Sequence, residues 1–179
     1  MLAISLAIRL HDGGPAVFAH TRIGKGGRWF KCLKFRTMVV DAEQRLSDLL
    51  NTDPEAAAEW AKDQKLSRDP RITALGRFLR KSSLDELPQL INILKGEMSV
   101  VGPRPIVAEE VVRYADLFEA YTSVKPGVTG LWQVSGRNDV PYEARVRLDA
   151  HYAAHWTVLG DIWIILKTVP AVVLSRGAS

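Results

Sequence analysis

The stretch TALGRFLRKSSLDELPQLINILKG, residues 73–96, decides how this chain is read. Thr73 opens a helix in which Leu75, Phe78 and Leu79 share one face, while Arg77, Arg80 and Lys81 lie elsewhere around it. From Leu84 to Lys95 the spacing of Leu87, Leu90, Ile91 and Leu94 is again helical, and Gly96 is a natural stop. Just after the basic residues sit two adjacent carboxylates, Asp85 and Glu86. Adjacent side chains on a helix point about 100° apart, so the pair divides roles instead of sharing one proton. One can attack or bind a metal while the other orients or activates. Like charges this close push their pKa values apart, a usual property of working carboxylates. Spacing alone leaves a second reading open: Ser83-x-x-Glu86 is also a capping box, and both acids favour a helix N-terminus.

Outward from this stretch, residues 1–10 read as a short apolar helix closed by the turn-forming run His11 to Pro15. Ala16 to Ile23 and Arg28 to Met38 read as two strands joined by Gly24-Lys25-Gly26-Gly27, a hairpin. Asp41 is placed to N-cap a helix with Ala42, Leu46, Leu49 and Leu50 on one face, and Pro54 starts another. Asp63 to Arg71 is a polar loop, and residues 97–106 form a Gly/Pro loop. Helices are predicted at about 107–120 and 142–156, separated by the turn-rich residues 125–130, and a last one at about 158–175. The fold class is α+β: a mostly helical single domain over residues 1–179 with one small antiparallel β-hairpin.

Composition narrows the function. The chain is 47% apolar and 25% charged, as in ordinary folded proteins, with a formal net charge of +4. Its densest basic cluster is Arg77 to Lys81, too sparse for a nucleic-acid binder, and small anionic substrates or an anionic membrane face suit it better. The single Cys32 excludes an internal disulfide and a cysteine-based zinc site. His151 and His155 stand four apart, but the glutamate of a zinc-protease helix is missing between them.

Two more segments can carry chemistry. Arg104 lies between Pro103 and Pro105, whose rings stiffen the chain on both sides. A guanidinium so placed can hold phosphate oxygens bidentately, or the loop is a rigid connector with an exposed Arg. Lys125 to Asp139 mixes turn glycines, Trp132 and polar tips, among them Gln133, Ser135 and Arg137. It suits a base- or sugar-binding loop, or an ordinary surface loop with Trp132 in the core.

Together, Lys34-Phe35-Arg36-Thr37-Met38, Ser83 to Gln89, Met98 to Pro105 and Pro126 to Arg137 resemble, in order, the bacterial sugar transferase family. These are monotopic polyprenyl-phosphate hexose-1-phosphate transferases that begin capsule, exopolysaccharide and O-antigen synthesis. The resemblance runs from about Ile8 to the end of the chain. It implies that Asp85 attacks the β-phosphorus of a UDP-hexose, expels UMP and becomes a sugar-phosphoryl-aspartate, which undecaprenyl phosphate then discharges. It implies Glu86 as dyad partner, Mg²⁺ at Asp85 and Glu86, and phosphate contacts from Arg80 and Arg104. Lys34 and Arg36 match the basic positions of the early strand motif. Gln133, Ser135 and Arg137 are the substrate-loop candidates, and the runs Gln133 to Asp139 and Tyr142-x-x-Arg145-Val146-x-x-Asp149 look most like members using UDP-galactose, with UDP-glucose close behind.

The resemblance further implies a place on the cytoplasmic face of the bacterial inner membrane, and a homo-oligomer is compatible with it. The final helix, with Ile162, Trp163, Ile165, Leu166, Val169, Val172 and Val173, is too short to span. It suits an amphipathic element on the membrane surface or a buried core helix. In the family a re-entrant helix precedes the Gly-Pro turn matched by Gly14-Pro15. Only residues 1–10 stand before it here, so that helix is expected to be truncated and delivery to the lipid weakened. The rival from another class is a non-catalytic membrane-surface scaffold.

Overall fold

The computed structural model describes residues 1–63, 66–136 and 139–173. Among them the α+β reading holds: the molecule is mostly helical around a small antiparallel hairpin. Helix α1 (Leu2–Asp12) ends at Gly13, whose φ of 73° is the left-handed cap that glycine adopts without strain. Strands β1 (Val17–Ile23) and β2 (Trp29–Phe35) pair from Val17↔Phe35 to Ile23↔Trp29. Helices α2 (Ala42–Thr52) and α3 (Pro54–Asp63) follow, with Pro54 in the first turn as its fixed φ favours. Asp41 stands at the N-cap position of α2 without making a cap bond; its carboxylate takes Arg45 Nε at 3.0 Å instead.

Thr73 does cap α4 (Ala74–Lys81), its hydroxyl accepting from Gly76 N at 2.9 Å. The helix expected from Leu84 to Lys95 is split. A 3-10 turn covers Leu84–Glu86, and α5 (Gln89–Leu94) starts only after Pro88, whose ring cannot donate to the preceding turn. The Gly/Pro loop and the turn-rich segment contain strands the sequence reading missed. β3 (Ser99–Val101) pairs in parallel with β4 (Gly127–Thr129), and three residues each are too few to show a period of two. Their backbones touch closely: a Cβ on Gly102 would lie 2.4 Å from Lys125 O.

The helix expected at about 107–120 is also broken, into α6 (Val111–Tyr114) and α7 (Phe118–Ser123), because Ala115 sits at φ 42°. Short α8 (Leu131–Val134), α9 (Tyr142–His155) and α10 (Val158–Val173) complete the chain.

Burial explains the arrangement. Ile8, Ala16, Phe35 and Leu79 tie α1 and α4 to the hairpin, while Ile23, Ile106, Tyr114, Tyr121 and Val146 tie its other end to the later helices. Tyr121 stitches that end: its hydroxyl donates to Ile23 O at 2.7 Å and accepts from Ile106 N at 3.2 Å. Asn92, fully buried, locks α5 against β2 by accepting from Leu33 N at 3.0 Å and donating to Lys31 O at 2.8 Å. Among the described residues no helix is long and apolar enough to cross a membrane. Among the described side chains of α10, Ile164 is the one large apolar residue that is buried, and Leu159, Ile162, Trp163, Ile165, Leu166 and Val169 are exposed.

Candidate active site

Local folding around residue 83 sets the site. Ser83 takes φ 55° and ψ 16°, a left-handed conformation that reverses the chain after α4. The reversal packs Leu84 and Leu87 against the Leu79–Phe35 cluster and turns the following carboxylates toward β2. Ser83 makes no cap hydrogen bond, so the capping-box reading of Ser83-x-x-Glu86 fails. Glu86 instead accepts from Lys34 Nζ at 2.7 Å.

On the other side, α4 lies directly on the end of β2. A Cβ on Gly76 would stand 1.9 Å from Thr37 O, so only glycine permits that approach. It brings Arg80 Nε to Thr37 Oγ1 at 2.9 Å. Burial pushes the Asp85 carboxyl above the usual carboxylate range; Lys34 pulls it back down, Glu86 adds to the rise and Arg80 opposes it. Burial also lowers the Arg80 guanidinium from its ordinary value, while the nearby Asp85 charge supports it.

An open cleft of about 2230 Å³ collects these groups: Lys34, Arg80, Asp85, Glu86, Arg104 and Gln133 all line it. Arg104, exposed between its two prolines, leaves the end of β3 and enters the same space. Gln133 donates to Val128 O at 3.2 Å, and its buried Oε1 has no partner among the described residues. Trp132 is buried in the core with Arg145 stacked 4.7 Å from its ring.

Other candidates stand elsewhere. Arg36 borders the cleft, yet its guanidinium is engaged by both oxygens of Asp12, one at 2.6 Å, by Pro15 O at 2.7 Å and by Met38 O at 3.1 Å. Ser135 lies outside the cleft lining, exposed, with its hydroxyl donating to Leu131 O at 2.7 Å. Arg137 lies outside the described residues.

Sequence reasoning missed Arg22, which lines the cleft beside Lys34 and Arg104. The signal was there: alternation along β1 puts Phe18, His20 and Arg22 on one face.

Among the described residues no three His, Cys, Asp or Glu side chains gather as a metal cage. Two adjacent carboxylates in an open cleft match instead the sparse protein donor set of Mg²⁺, which takes one or two carboxylates plus substrate phosphates.

The family model described as "Bacterial sugar transferase" matches residues 1–175. An undecaprenyl-phosphate galactose phosphotransferase of Salmonella typhimurium is 58% identical over 167 residues, 93% of this chain and 35% of that protein. The exopolysaccharide production protein ExoY of Sinorhizobium fredii is 52% identical over 171 residues, 96% of this chain and 76% of that protein. A UDP-glucose:undecaprenyl-phosphate glucose-1-phosphate transferase of Escherichia coli is 39% identical over 177 residues, 94% of this chain and 35% of that protein. The chain thus spans about a third of the length of the Salmonella and Escherichia relatives. With nearly its whole length matched, this chain belongs to the bacterial sugar transferase family.

Proposed function

We propose that residues 1–179 act as one catalytic unit that moves hexose-1-phosphate from a UDP-sugar to undecaprenyl phosphate, the first step of exopolysaccharide, capsule or O-antigen synthesis. The observation that carries this reading is the half-buried Asp85 beside Glu86, lining one cleft with Lys34 and Arg80. An Asp85 oxygen attacks the β-phosphorus of the UDP-sugar and the bond to the α-phosphate oxygen breaks. UMP leaves with that electron pair, and an acyl phosphate carrying the sugar remains on Asp85. An oxygen of the lipid phosphate then attacks the same phosphorus, giving the lipid diphosphate sugar and restoring the carboxylate.

Phosphoryl transfer asks mainly for positioning and charge neutralisation, which Lys34, Arg80 and Arg104 are placed to supply. Asp85 and Glu86 are the residues that would hold Mg²⁺, which when bound neutralises charge on the diphosphate. Arg36 serves in this reading by holding the turn before β1, through Asp12 and Pro15, and not by touching phosphate. Gln133 and Ser135, with Arg137, remain the candidates for contacts to the base or sugar. Galactose is the favoured hexose, supported by the name of the Salmonella relative, and glucose the second, supported by that of the Escherichia relative.

The outward apolar side chains of α10, with Leu2, Leu6 and Leu10 on α1, support a position on a membrane surface, in this reading the cytoplasmic face of the bacterial inner membrane. The test is UMP release from UDP-galactose or UDP-glucose with Mg²⁺ and no lipid acceptor. The parent should release a burst close to one UMP per enzyme and Asp85→Asn none; a variant that still releases UMP sinks the covalent mechanism.

A further inference from the structure

Arg22 is a half-buried cation whose ion pair with Glu110 is long. Its side chain is 18% exposed, its one hydrogen bond among the described residues goes to Pro105 O at 3.2 Å, and Glu110 stands 3.7 Å away. Glu110 is engaged by other groups, accepting from Val107 N at 3.0 Å and from Tyr142 OH at 3.1 Å. Burial and the nearby Arg104 charge both push the Arg22 guanidinium below its ordinary value. Arg22, Lys34 and Arg104 all line one small recess off the main cleft, with Gln89, Gln133 and Glu86. Its one carboxylate, Glu86, is paired with Lys34, and the unpartnered Gln133 Oε1 can accept a proton-bearing oxygen. Three cations against the two carboxylates Glu86 and Glu110 leave this partly desolvated recess with an excess of positive charge, and a guanidinium fork fits phosphate oxygens.

We propose that this recess is a phosphate subsite in which Arg22 and Arg104 together grip a terminal phosphate group. The inference rests on the transfer reaction centred on Asp85. A terminal phosphate occurs there twice, on the UMP that leaves and on the lipid phosphate that enters. In a ping-pong sequence the two need the space at different times, so one subsite can serve both.

The test compares Arg22→Gln and Arg22→Lys with the parent full chain. Calorimetric titration with UMP and with uridine reads the anion contact. Separate rates for UMP release, and for transfer from the preformed adduct to a short-chain prenyl phosphate, tell the sources apart. UMP affinity should fall about tenfold or more in Arg22→Gln and recover partly in Arg22→Lys, with uridine affinity unchanged, as expected for a lost charge-assisted contact. A slowed first rate assigns the subsite to the nucleotide, a slowed second rate to the lipid, and slowing of both to shared use. Unchanged UMP affinity in Arg22→Gln, or a parallel loss of uridine and UMP, overturns the proposal. A parent enzyme that binds UMP through Arg22 yet never releases it from a UDP-sugar would instead overturn the transfer reading.

Discussion

Lys34 Nζ donates to Glu86 Oε1 at 2.7 Å, so the second strand of the hairpin reaches across to the carboxylate next to Asp85. Among the described residues no side chain hydrogen-bonds to Asp85 itself. Lys34 therefore acts on the two acids differently: it pairs with one and tunes the other through space.

That difference is measurable. Removing the charge in Lys34→Ala takes away the largest influence lowering the Asp85 pKa, while burial and Glu86 still raise it. The carboxylate form then appears only at higher pH, so the acidic limb of the pH–rate profile for UMP release should move upward. At neutral pH the rate should fall on the order of 10²-fold. A pH profile that keeps its acidic limb would show that Lys34 does not tune Asp85.

Arg36 and Asp12 should behave as a clamp. Their side chains are 10% and 22% exposed, and a double-mutant cycle with Arg36→Ala and Asp12→Ala should give a coupling of about 1 kcal/mol in denaturant unfolding. Asp12 is held at about 2, chiefly by its hydrogen bond to Arg36. This contribution is present above the unfolded value near 3.8 and is lost as pH falls through about 2. If Arg36 gripped phosphate instead, Arg36→Ala would cost far more activity than Asp12→Ala.

Gly76→Ala tests how Arg80 is positioned. The added methyl would stand 1.9 Å from the Thr37 carbonyl oxygen, so α4 must shift away from β2. Stability should drop by about 1–3 kcal/mol, as in other overpacked sites, and UMP release should fall with it as Arg80 leaves Thr37. A variant with parental melting temperature and rate would contradict the close approach.

Asp149 predicts a pH effect on stability. It is 1% exposed, takes a hydrogen bond from Tyr114 OH at 2.8 Å, and burial pushes its carboxyl up to about 7. A carboxyl raised in the folded state contributes stability that is fully present below the unfolded value near 3.8 and is lost as pH rises through about 7. The melting temperature of Asp149→Asn relative to the parent should therefore climb between pH 5 and about pH 8. A constant offset would argue against a titrating Asp149.

What the sequence revealed follows from how local each signal is. The hairpin alternation, the Thr73 cap and the spacing of Leu75, Phe78 and Leu79 are short-range, and each recurs in the structure. The pairing of Ser99–Val101 with Gly127–Thr129 is between distant segments of three residues, and no local pattern marks it. Ala115 at φ 42° breaks a helix that its side chain would favour. At the site, Asp85, Glu86 and Arg104 were legible because each sits in a compact motif. For Arg22 the alternation of β1 marked only a face, and its neighbours Pro105 and Glu110, which show that the face borders the site, lie more than eighty residues along the chain. The role of Arg36 turned on Asp12, equally invisible from spacing.

The central claim is that Asp85 becomes covalently charged with sugar phosphate. The direct measurement is a peptide mass spectrum of the acid-quenched parent after brief incubation with UDP-galactose and Mg²⁺, without lipid. The account predicts a hexose-phosphate adduct confined to the peptide containing Asp85, formed as UMP appears, discharged by lipid phosphate and missing in Asp85→Asn. UMP release by the parent with the Asp85 peptide unmodified, or an adduct that persists in Asp85→Asn, would contradict it.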